Sequence, residues 1–446
     1  MNIIIHRGTH EIGGSCVELQ SNNSKIIIDI GMPLVKNNGE KFNINEFNNL
    51  SDEELVSKKI LPDIKGLYKW DSQNGKVDGV LISHPHMDHY GFFNFLREDV
   101  TYYIGEAAKN IIDITCIFTS IKGNINRYVP LESGKPIDIG EFKITPYLMD
   151  HSAYDSYAFL IEAEGKKVIY SGDFREHGRK AKAFRYFLKT APKNIDALIL
   201  EGTMFGRQNE KVKTEQQIES EIDDLVKKNE GITLMNFSAQ NIDRVVTMYR
   251  VAKRNRKLFV IDFYTANILS LLSETIPHPS DKFSNIKVFF PTRLSEKTAN
   301  EGHRDLMLKF GKYKMTKRQI NDCSKDIMML VRNSMINDLR YINVKKGLFI
   351  YSMWGGYLKE KSMKTMLSLV KDKEMKFQCV HTSGHASIDT LNKVVNVIEP
   401  KVILPIHSFH PEKYKLISSN IYELSDGEAY TCLLYTSDAA DEGLGV

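Results

Sequence analysis

Short apolar runs that stop abruptly at a polar residue recur along this chain. Each run consists mainly of β-branched or aliphatic residues, which is typical of short strands buried on both faces. The clearest are Lys25–Ile28 before Asp29, Val80–Ile82 before Ser83 and His84, Val168–Tyr170 before Asp173, Ala197–Leu200 before Glu201, and Val402–Pro405 before His407. Because loops at strand tips can carry polar groups that a core cannot, the sequence predicts a buried sheet whose functional residues collect at the strand ends.

Amphipathic helices are predicted between these strands. One follows a capping box of Thr214 and Gln217 and places its apolar residues at helical spacing. A second begins near Ser387 and ends before Pro400. Alternation of such helices with buried strands indicates an α/β fold.

Composition excludes several classes of protein and leaves the partner open. With 446 residues, 42% of them hydrophobic and 26% charged, the chain is neither disordered nor a disulfide-stapled miniprotein. Lys plus Arg is 60 against 56 for Asp plus Glu, so the net charge of +4 gives no overall basic field. The five cysteines are scattered without a CxxC pair, and no long apolar stretch occurs. We therefore expect a cytoplasmic protein that does not associate with a membrane.

A change in composition predicts an inserted domain. Clusters of Lys and Arg become frequent after Phe205 and continue to about Glu374. We expect residues 206–374 to be an insertion between a first part, 1–205, and a second part, 375–430, of one domain. Residues 431–446 resemble a translated cloning linker, so we interpret them as a non-native tail.

The strongest local signal is the segment from Ser83 to Tyr90. It holds three histidines and one aspartate within six residues, directly after an apolar run. In extended backbone His84 and His86 project to the same side and can hold one metal ion, while Asp88 and His89 on the next turn can face another. A surface histidine cluster with adventitious metal affinity is the alternative interpretation.

One segment cannot complete two coordination spheres. The candidates for the remaining ligands are His151, Asp173 and His407, each beside an apolar run, with His177 and His410 as competing histidines. Asp29 is better interpreted as an acceptor that orients a ligand from behind.

In this order the motifs resemble the metallo-β-lactamase superfamily. Gly8 to Ser15 with Asp29 is similar to its first motif, His84 to His89 to its second, His151 to its third and Asp173 to its fourth. The resemblance implies an αββα sandwich with a dinuclear site, usually zinc, with manganese as the alternative ion. It also implies one ion on His84, His86 and His151, the other on Asp88, His89 and His407, and Asp173 between them.

Beyond Asp173 the chain resembles the β-CASP branch of nucleic-acid nucleases. Leu200 to Thr203, His381 to Ala386 and Pro405 to His407 are similar to that branch's additional motifs. The resemblance implies that the insertion is an α/β β-CASP cap domain. Members that process RNA carry His at the last motif, so His407 favours single-stranded RNA as the partner and ribonuclease J-type proteins as relatives. The oligomeric state stays open, with a homodimer as one candidate.

Phosphodiester hydrolysis needs charge neutralisation, an activated water and a proton for the leaving group. Two metal ions, held in part by the catalytic carboxylates Asp88 and Asp173, can supply the first two. We interpret His385 as the general acid, oriented by Glu201. His381 and Ser383 are candidate phosphate donors.

Contacts to RNA beyond the metal ions are predicted in the insertion. Arg244 is the candidate for an RNA-binding cation, and Phe237, Tyr264 and Trp354 are candidate stacking surfaces.

Three other functions stay open at this point. A DNA nuclease could use the same scaffold, and a non-catalytic RNA-binding scaffold could keep the fold without the reaction. A thioester or lactone hydrolase would account for the histidine motif but not for Glu201, His385 or the insertion.

Overall fold

The fold is described from a computed structural model for residues 1–36, 39–71, 75–207 and 212–432. It contains three sheets, two of which face each other. The first sheet runs in the order β20 (Ala429–Thr431), β1 (Asn2–Arg7), β2 (Cys16–Gln20), β3 (Lys25–Ile28), β4 (Gly79–Leu81), β5 (Tyr102–Ile104), β6 (Tyr128–Pro130). The second runs in the order β19 (Ile403–Ile406), β11 (Ala197–Glu201), β10 (Lys166–Tyr170), β9 (Tyr157–Ala163), β8 (Phe142–Leu148), β7 (Ile137–Ile139).

The first and second sheets enclose a shared apolar core. Along β11, Ala197 and Ile199 point into this core, whereas Leu198 and Leu200 point to the outer face of the sheet. This alternation explains why the strands read as continuous apolar runs, since both faces of each strand are covered.

Helices cover the outer faces of both sheets. Residues of α1 (Asp52–Ser57) and α3 (Glu106–Phe118) pack in the core outside the first sheet. The short helix α2 (Met87–Tyr90) follows strand β4. Outside the second sheet lie α4 (Ala181–Thr190) and α13 (Ile388–Ile398). The result is the four-layered αββα sandwich expected from the motifs.

The third sheet belongs to the insertion and is parallel throughout. Its order is β15 (Lys314–Met315), β14 (Ile286–Phe289), β13 (Leu258–Asp262), β16 (Ile327–Leu330), β12 (Ile232–Asn236), β17 (Gly347–Tyr351), β18 (Met375–Cys379). Separate apolar clusters cover its two faces. Its helices are α5 (Glu215–Lys227), α6 (Ile242–Arg254), α7 (Phe263–Ser270), α8 (Thr292–Asn300), α9 (Asp305–Leu308), α10 (Lys317–Asp322), α11 (Ile336–Arg340) and α12 (Lys361–Asp372).

The structure moves two of the predicted boundaries. Because β18 pairs with β17, residues 375–379 belong to the insertion's sheet, and the boundary predicted at residue 375 was five residues too early. Thr431 ends β20, and the buried Cys432 packs in the core between the first two sheets. The predicted tail therefore overlapped the fold by two residues, and its remainder, 433–446, lies outside the described residues.

Both predicted helices begin at their predicted caps. Thr214 accepts a hydrogen bond from the Gln217 N–H at the start of α5, and the Gln217 side chain accepts one in return from the Thr214 N–H. Ser387 caps α13 by accepting from the Thr390 N–H. Over the part of the chain that the structure describes, no helix is both long enough and apolar enough to cross a membrane.

Candidate metal centre

Polar residues at the ends of strands β4, β8, β10, β11 and β19 meet at one edge of the sandwich, and His385 joins them from the segment after β18. Strands β10, β11 and β19 are parallel neighbours, so the residues after them emerge side by side. The histidine segment after β4 approaches from the opposite sheet, and Tyr157 N–H donates to the Ser83 carbonyl, which ties the two sheets together there. The residues gathered here are His84, His86, Asp88, His89, His151, Asp173, Glu201, His385 and His407.

Three histidine nitrogens form the first group. His86 Nδ1 lies 3.2 Å from His84 Nε2 and 3.3 Å from His151 Nε2. In a tetrahedral zinc site the donors stand about 2.0–2.1 Å from the ion, and therefore about 3.3 Å from one another. The spacing of these nitrogens fits a single ion on His84, His86 and His151.

The second group joins Asp88, His89 and His407. Asp88 Oδ2 lies 3.3 Å from His407 Nε2 and 4.0 Å from His89 Nε2. Asp173 Oδ2 stands between the two groups, at 3.3 Å from His89 Nε2, 3.7 Å from His84 Nε2 and 3.8 Å from His407 Nε2. One carboxylate oxygen is thus within reach of ions in both groups.

Electrostatics also suit a cation here. Burial lowers the pKa of His84 and His151 well below the ordinary value and that of His86 to about 4, so these imidazoles are neutral, as metal ligands must be. Burial opposes protonation of His89 as well, but the Asp173 and Asp29 carboxylates outweigh it and raise the pKa of His89.

His89 Nε2 is buried and makes no hydrogen bond within the described residues. A buried unpaired nitrogen in a cluster of carboxylates is costly unless a cation or proton occupies the cluster. The donor set therefore fits a pair of divalent ions.

Asp29 holds His89 from behind. Its carboxylate accepts hydrogen bonds from the Ser83 N–H (2.7 Å), the Ser83 hydroxyl (2.8 Å), the Tyr170 hydroxyl (2.7 Å) and His89 Nδ1 (2.8 Å). Because Asp29 accepts a hydrogen bond from the Nδ1–H of His89, Nε2 is the nitrogen left to face the other candidate ligands. The structure places Asp29 where the sequence interpretation expected an orienting acceptor.

Two further orienting contacts were missed by the sequence interpretation. Thr203 Oγ1 lies 2.8 Å from His407 Nδ1, and the Gly384 carbonyl accepts from His151 Nδ1 at 2.7 Å. Thr203 belongs to the motif Leu200 to Thr203, but nothing in that motif indicates a hydrogen bond to a histidine 204 positions away. The competing candidates lie elsewhere, since His177 contacts the Ser383 carbonyl and His410 contacts Glu412.

His385 reaches the centre, but Glu201 does not orient it as predicted. His385 Nδ1 lies 3.6 Å from both Asp173 Oδ2 and Glu201 Oε2, beyond hydrogen-bonding distance, and it is buried without a partner. The Glu201 oxygens instead accept from the backbone N–H groups of Thr203 and Ala386. Glu201 therefore braces the loops that carry His407 and His385, while its Oε2 stays within ion-pair distance of His385 Nδ1.

Arg244 was wrongly predicted as an RNA contact. Its side chain is fully buried, and its guanidinium donates to Glu215 at 2.9 Å and to Ser352. A cation enclosed by its counterion cannot reach a phosphate in solvent, so Arg244 is a structural link within the insertion.

The two other candidate phosphate donors lie on the segment that leads to His385. Burial lowers the pKa of His381 to about 3, and its Nδ1 is buried without a partner. Ser383 Oγ accepts from the His385 N–H and faces Met204 Sδ, so it shapes the His385 loop from inside.

Two of the three predicted stacking residues are committed elsewhere. Phe237 lies in the core, and Tyr264 contacts Thr115 and Gln240 through its hydroxyl. Two cations of the insertion, Arg254 and Lys312, pair with Glu219 and Asp281. Trp354 is the exception, with 38% of its surface exposed.

Two protein-family models match the part of the chain that bears these ligands. The model described as "Metallo-beta-lactamase superfamily" matches residues 11–109, and the one described as "Beta-lactamase superfamily domain" matches residues 66–237. Together they cover the strand ends that provide His84 to His89, His151, Asp173 and Glu201.

Curated relatives extend over nearly all of the chain. It is 25% identical to ribonuclease J from Helicobacter pylori, covering 94% of this chain and 59% of that protein. It is 22% identical to ribonuclease J from Mycoplasma genitalium, with coverages of 90% and 66%, and 19% identical to ribonuclease J 2 from Streptococcus pyogenes, with coverages of 94% and 74%. The chain thus spans about three fifths of the length of the Helicobacter relative.

A solved structure shares the whole architecture. The crystal structure of a protein of unknown function from Enterococcus faecalis superposes with a TM-score of 0.76 at 22% identity, covering 96% of this chain and 99% of that one. At this identity the likeness shows the fold alone.

Proposed function

This chain is a ribonuclease J-like β-CASP protein of the metallo-β-lactamase fold, and on that premise we propose that it is a metal-dependent ribonuclease with a dinuclear, zinc-preferring centre. The observation that carries the proposal is that two groups of candidate ligands, His84–His86–His151 and Asp88–His89–His407, lie on either side of Asp173 Oδ2, which is 3.7 Å from His84 Nε2 and 3.3 Å from His89 Nε2. The Helicobacter and Mycoplasma relatives are named ribonuclease J, which supports RNA as the substrate class.

These groups support the following choice of metal ligands. His84, His86 and His151 would hold one ion and Asp88, His89 and His407 the other, with Asp173 shared. Two such ions would supply positive charge for the phosphate and acidify water near neutral pH.

The chain's own residues supply orientation and a proton. Asp29 and the Gly384 carbonyl accept from Nδ1 of His89 and His151, and Thr203 Oγ1 contacts Nδ1 of His407, so in each ring Nε2 is the nitrogen left to face a metal ion. His385 Nδ1 has no internal partner and faces the same space, so it can hold a proton for the leaving oxygen.

His407 favours RNA over DNA under the family resemblance, and its place among the ligands supports using it that way. All five cysteines are unpaired, which agrees with a reducing compartment, and we place the protein in the cytoplasm.

The test uses end-labelled, single-stranded RNA and DNA of the same sequence. We expect the metal-loaded protein to cleave RNA faster than DNA, and Asp88→Asn to abolish cleavage while the far-ultraviolet circular dichroism is unchanged. Asp99→Asn, an exposed carboxylate paired with Arg97, is the matched control and should keep wild-type activity.

Full activity of Asp88→Asn would overturn the assignment of the centre. Cleavage of DNA in preference to RNA would replace the proposal by the DNA nuclease alternative. Binding of RNA without cleavage by fully loaded protein would replace it by the non-catalytic scaffold.

A further inference from the structure

The segment that returns from the insertion to the sandwich carries His385. Strand β18 belongs to the sheet of the insertion and α13 packs on the sandwich, so residues 380–387 connect the two. Within this connection the Gly384 carbonyl accepts from His151 Nδ1 at 2.7 Å, and His385 is the next residue. The place of His385 at the metal centre therefore depends on what holds the connection.

Arg175 holds this connection from the side of the sandwich. Its Nη1 donates to the Ser383 carbonyl at 2.9 Å, and His177 Nε2 lies 2.9 Å from the same oxygen. Arg175 follows Asp173 by two residues, so the carbonyl is joined to the backbone that presents the shared candidate ligand. The connection is thus fixed relative to Asp173 just before it reaches His385.

The same guanidinium reaches three other elements. Its Nε faces Asp150 Oδ1 at 3.5 Å, and Asp150 directly precedes a candidate ligand. Its Nη2 donates to Asp243 at 2.6 Å in the first turn of α6, and its Nη1 lies 3.6 Å from Glu215, the first residue of α5. One side chain therefore joins two loops of the metal centre to two helices of the insertion.

The packing around the guanidinium suits an arginine and leaves little room for another arrangement. Arg175 and Asp150 are fully buried, and a Cβ on Gly178 would clash with the guanidinium and with the Asp150 carboxylate. A guanidinium presents several N–H donors in fixed directions, whereas a lysine ammonium is a single point of charge. A lysine could therefore keep the positive charge here but could not reach all of these partners at once.

We propose that Arg175 is a positioning residue that sets His385 at the metal centre by holding the Ser383 carbonyl in a place fixed by Asp150 and Asp243. The proposal rests on the proposed function, in which His385 gives a proton to the leaving oxygen. It adds that the proton donor is in place only while the insertion is seated on the sandwich.

Two substrates with different leaving groups test the position of the proton donor. The leaving oxygen of RNA needs a proton, whereas bis(p-nitrophenyl) phosphate releases an anion that is stable without one. At saturating metal, Arg175→Lys should lower kcat for RNA by about 10- to 100-fold, since a misplacement of about 1 Å can cost about 100-fold. The KM for RNA and the turnover of bis(p-nitrophenyl) phosphate should stay unchanged.

Amide hydrogen exchange of metal-free protein tests the connection itself, without any reaction. The His385 N–H donates to Ser383 Oγ at 3.0 Å, and the Ala386 N–H donates to Glu201 at 3.1 Å. If Arg175 holds the connection, Arg175→Lys should speed the exchange of these two amides, because they open more often once the Ser383 carbonyl is released. Mass spectrometry of peptides that span residues 380–387 measures this change.

A matched control and a second variant complete the experiment. Arg332→Lys makes the same substitution at an arginine that pairs with Asp262 and Thr265 inside the insertion, and it should change neither the exchange nor the kinetics. Asp243→Asn keeps Arg175 but removes the charge of one of its anchors. It should shift both measurements in the same direction by a smaller amount, and it decides the matter if Arg175→Lys does not fold.

Unchanged exchange in residues 380–387 would overturn the proposal, and so would equal losses of turnover on the two substrates. Equal effects of Arg175→Lys and Arg332→Lys would also overturn it, because the change would then be a general effect on the fold. Wild-type protein that cleaves no RNA would refute the proposed function. The exchange comparison would then decide by itself whether Arg175 holds the connection.

Discussion

Asp29→Asn should weaken metal binding without disturbing the shape of the site. Asp29 is buried at φ +61°, a backbone conformation that Asn tolerates well. Its Oδ2 accepts from three groups, the hydroxyls of Ser83 and Tyr170 and His89 Nδ1. The amide of the variant has one acceptor oxygen in place of two, so its NH₂ group either stands there and meets these three donors or turns to meet the Ser83 N–H, which leaves His89 a neutral acceptor in place of a carboxylate. The first orientation disturbs His89 most.

The two hydroxyls can rotate and become acceptors, but the imidazole of His89 can do so only by changing tautomer. Its proton then moves to Nε2, the atom that faces Asp88 and Asp173, and metal binding must remove it. Loss of such an orienting carboxylate typically costs 10- to 100-fold in metal affinity, or about 1.4–2.7 kcal/mol. A buried donor left without a partner adds about 1–3 kcal/mol of destabilisation to the metal-free fold.

The assay is competitive titration of metal-free protein with a chromophoric chelator, which yields the affinity of each ion. In Asp29→Asn we expect a lower affinity for one of the two ions, the one that His89 would help to hold. Asp155→Asn is the control, because Asp155 has the same φ of +61° but accepts from the Ala107 and Ala108 N–H groups at the start of α3. Unchanged affinity for both ions in Asp29→Asn would refute the argument that Asp29 sets the tautomer of His89.

Two other predictions concern the buried charges of the insertion. Burial alone would raise the pKa of Asp243, but Lys180 and Arg175 outweigh it and lower that pKa to about 2, so Asp243 contributes about 2 kcal/mol of stability above about pH 4 that is lost as the pH falls towards 2. Urea unfolding should therefore show a smaller loss between pH 7 and pH 3 in Asp243→Asn than in the wild type, and equal losses would contradict the prediction. Arg244→Met should cost about 1.5–3 kcal/mol because it removes the charged hydrogen bond to the buried Glu215 carboxylate, which keeps Arg175 at 3.6 Å as its remaining cation. The folded Arg244→Met variant should bind RNA with unchanged affinity. A large loss of affinity would show that Arg244 contacts RNA after all.

Local patterns predicted the fold well where the residues signal their own environment. Thr214 and Gln217 form the capping box expected at the start of α5, and Ser387 caps α13. The histidine segment sits in the turn after β4, as the apolar run before it indicated. These features depend on neighbours a few residues away, which a sequence displays directly.

Features that depend on distant partners could not be predicted in this way. Only Met375 of β18 is buried, so this edge strand reads as polar surface until its pairing with β17 is known. Arg244 reads as a solvent-exposed cation, and only the fold brings Glu215 against it. The role of Thr203 depends in the same way on its hydrogen bond to His407.

The most direct test of the account is RNA cleavage by metal-free protein as divalent metal is added back. We predict no cleavage without metal and a rate that rises to a plateau at two ions per chain, in line with two ligand groups that share Asp173. Cleavage of RNA by rigorously metal-free protein, or a plateau reached at one ion per chain, would contradict the dinuclear centre.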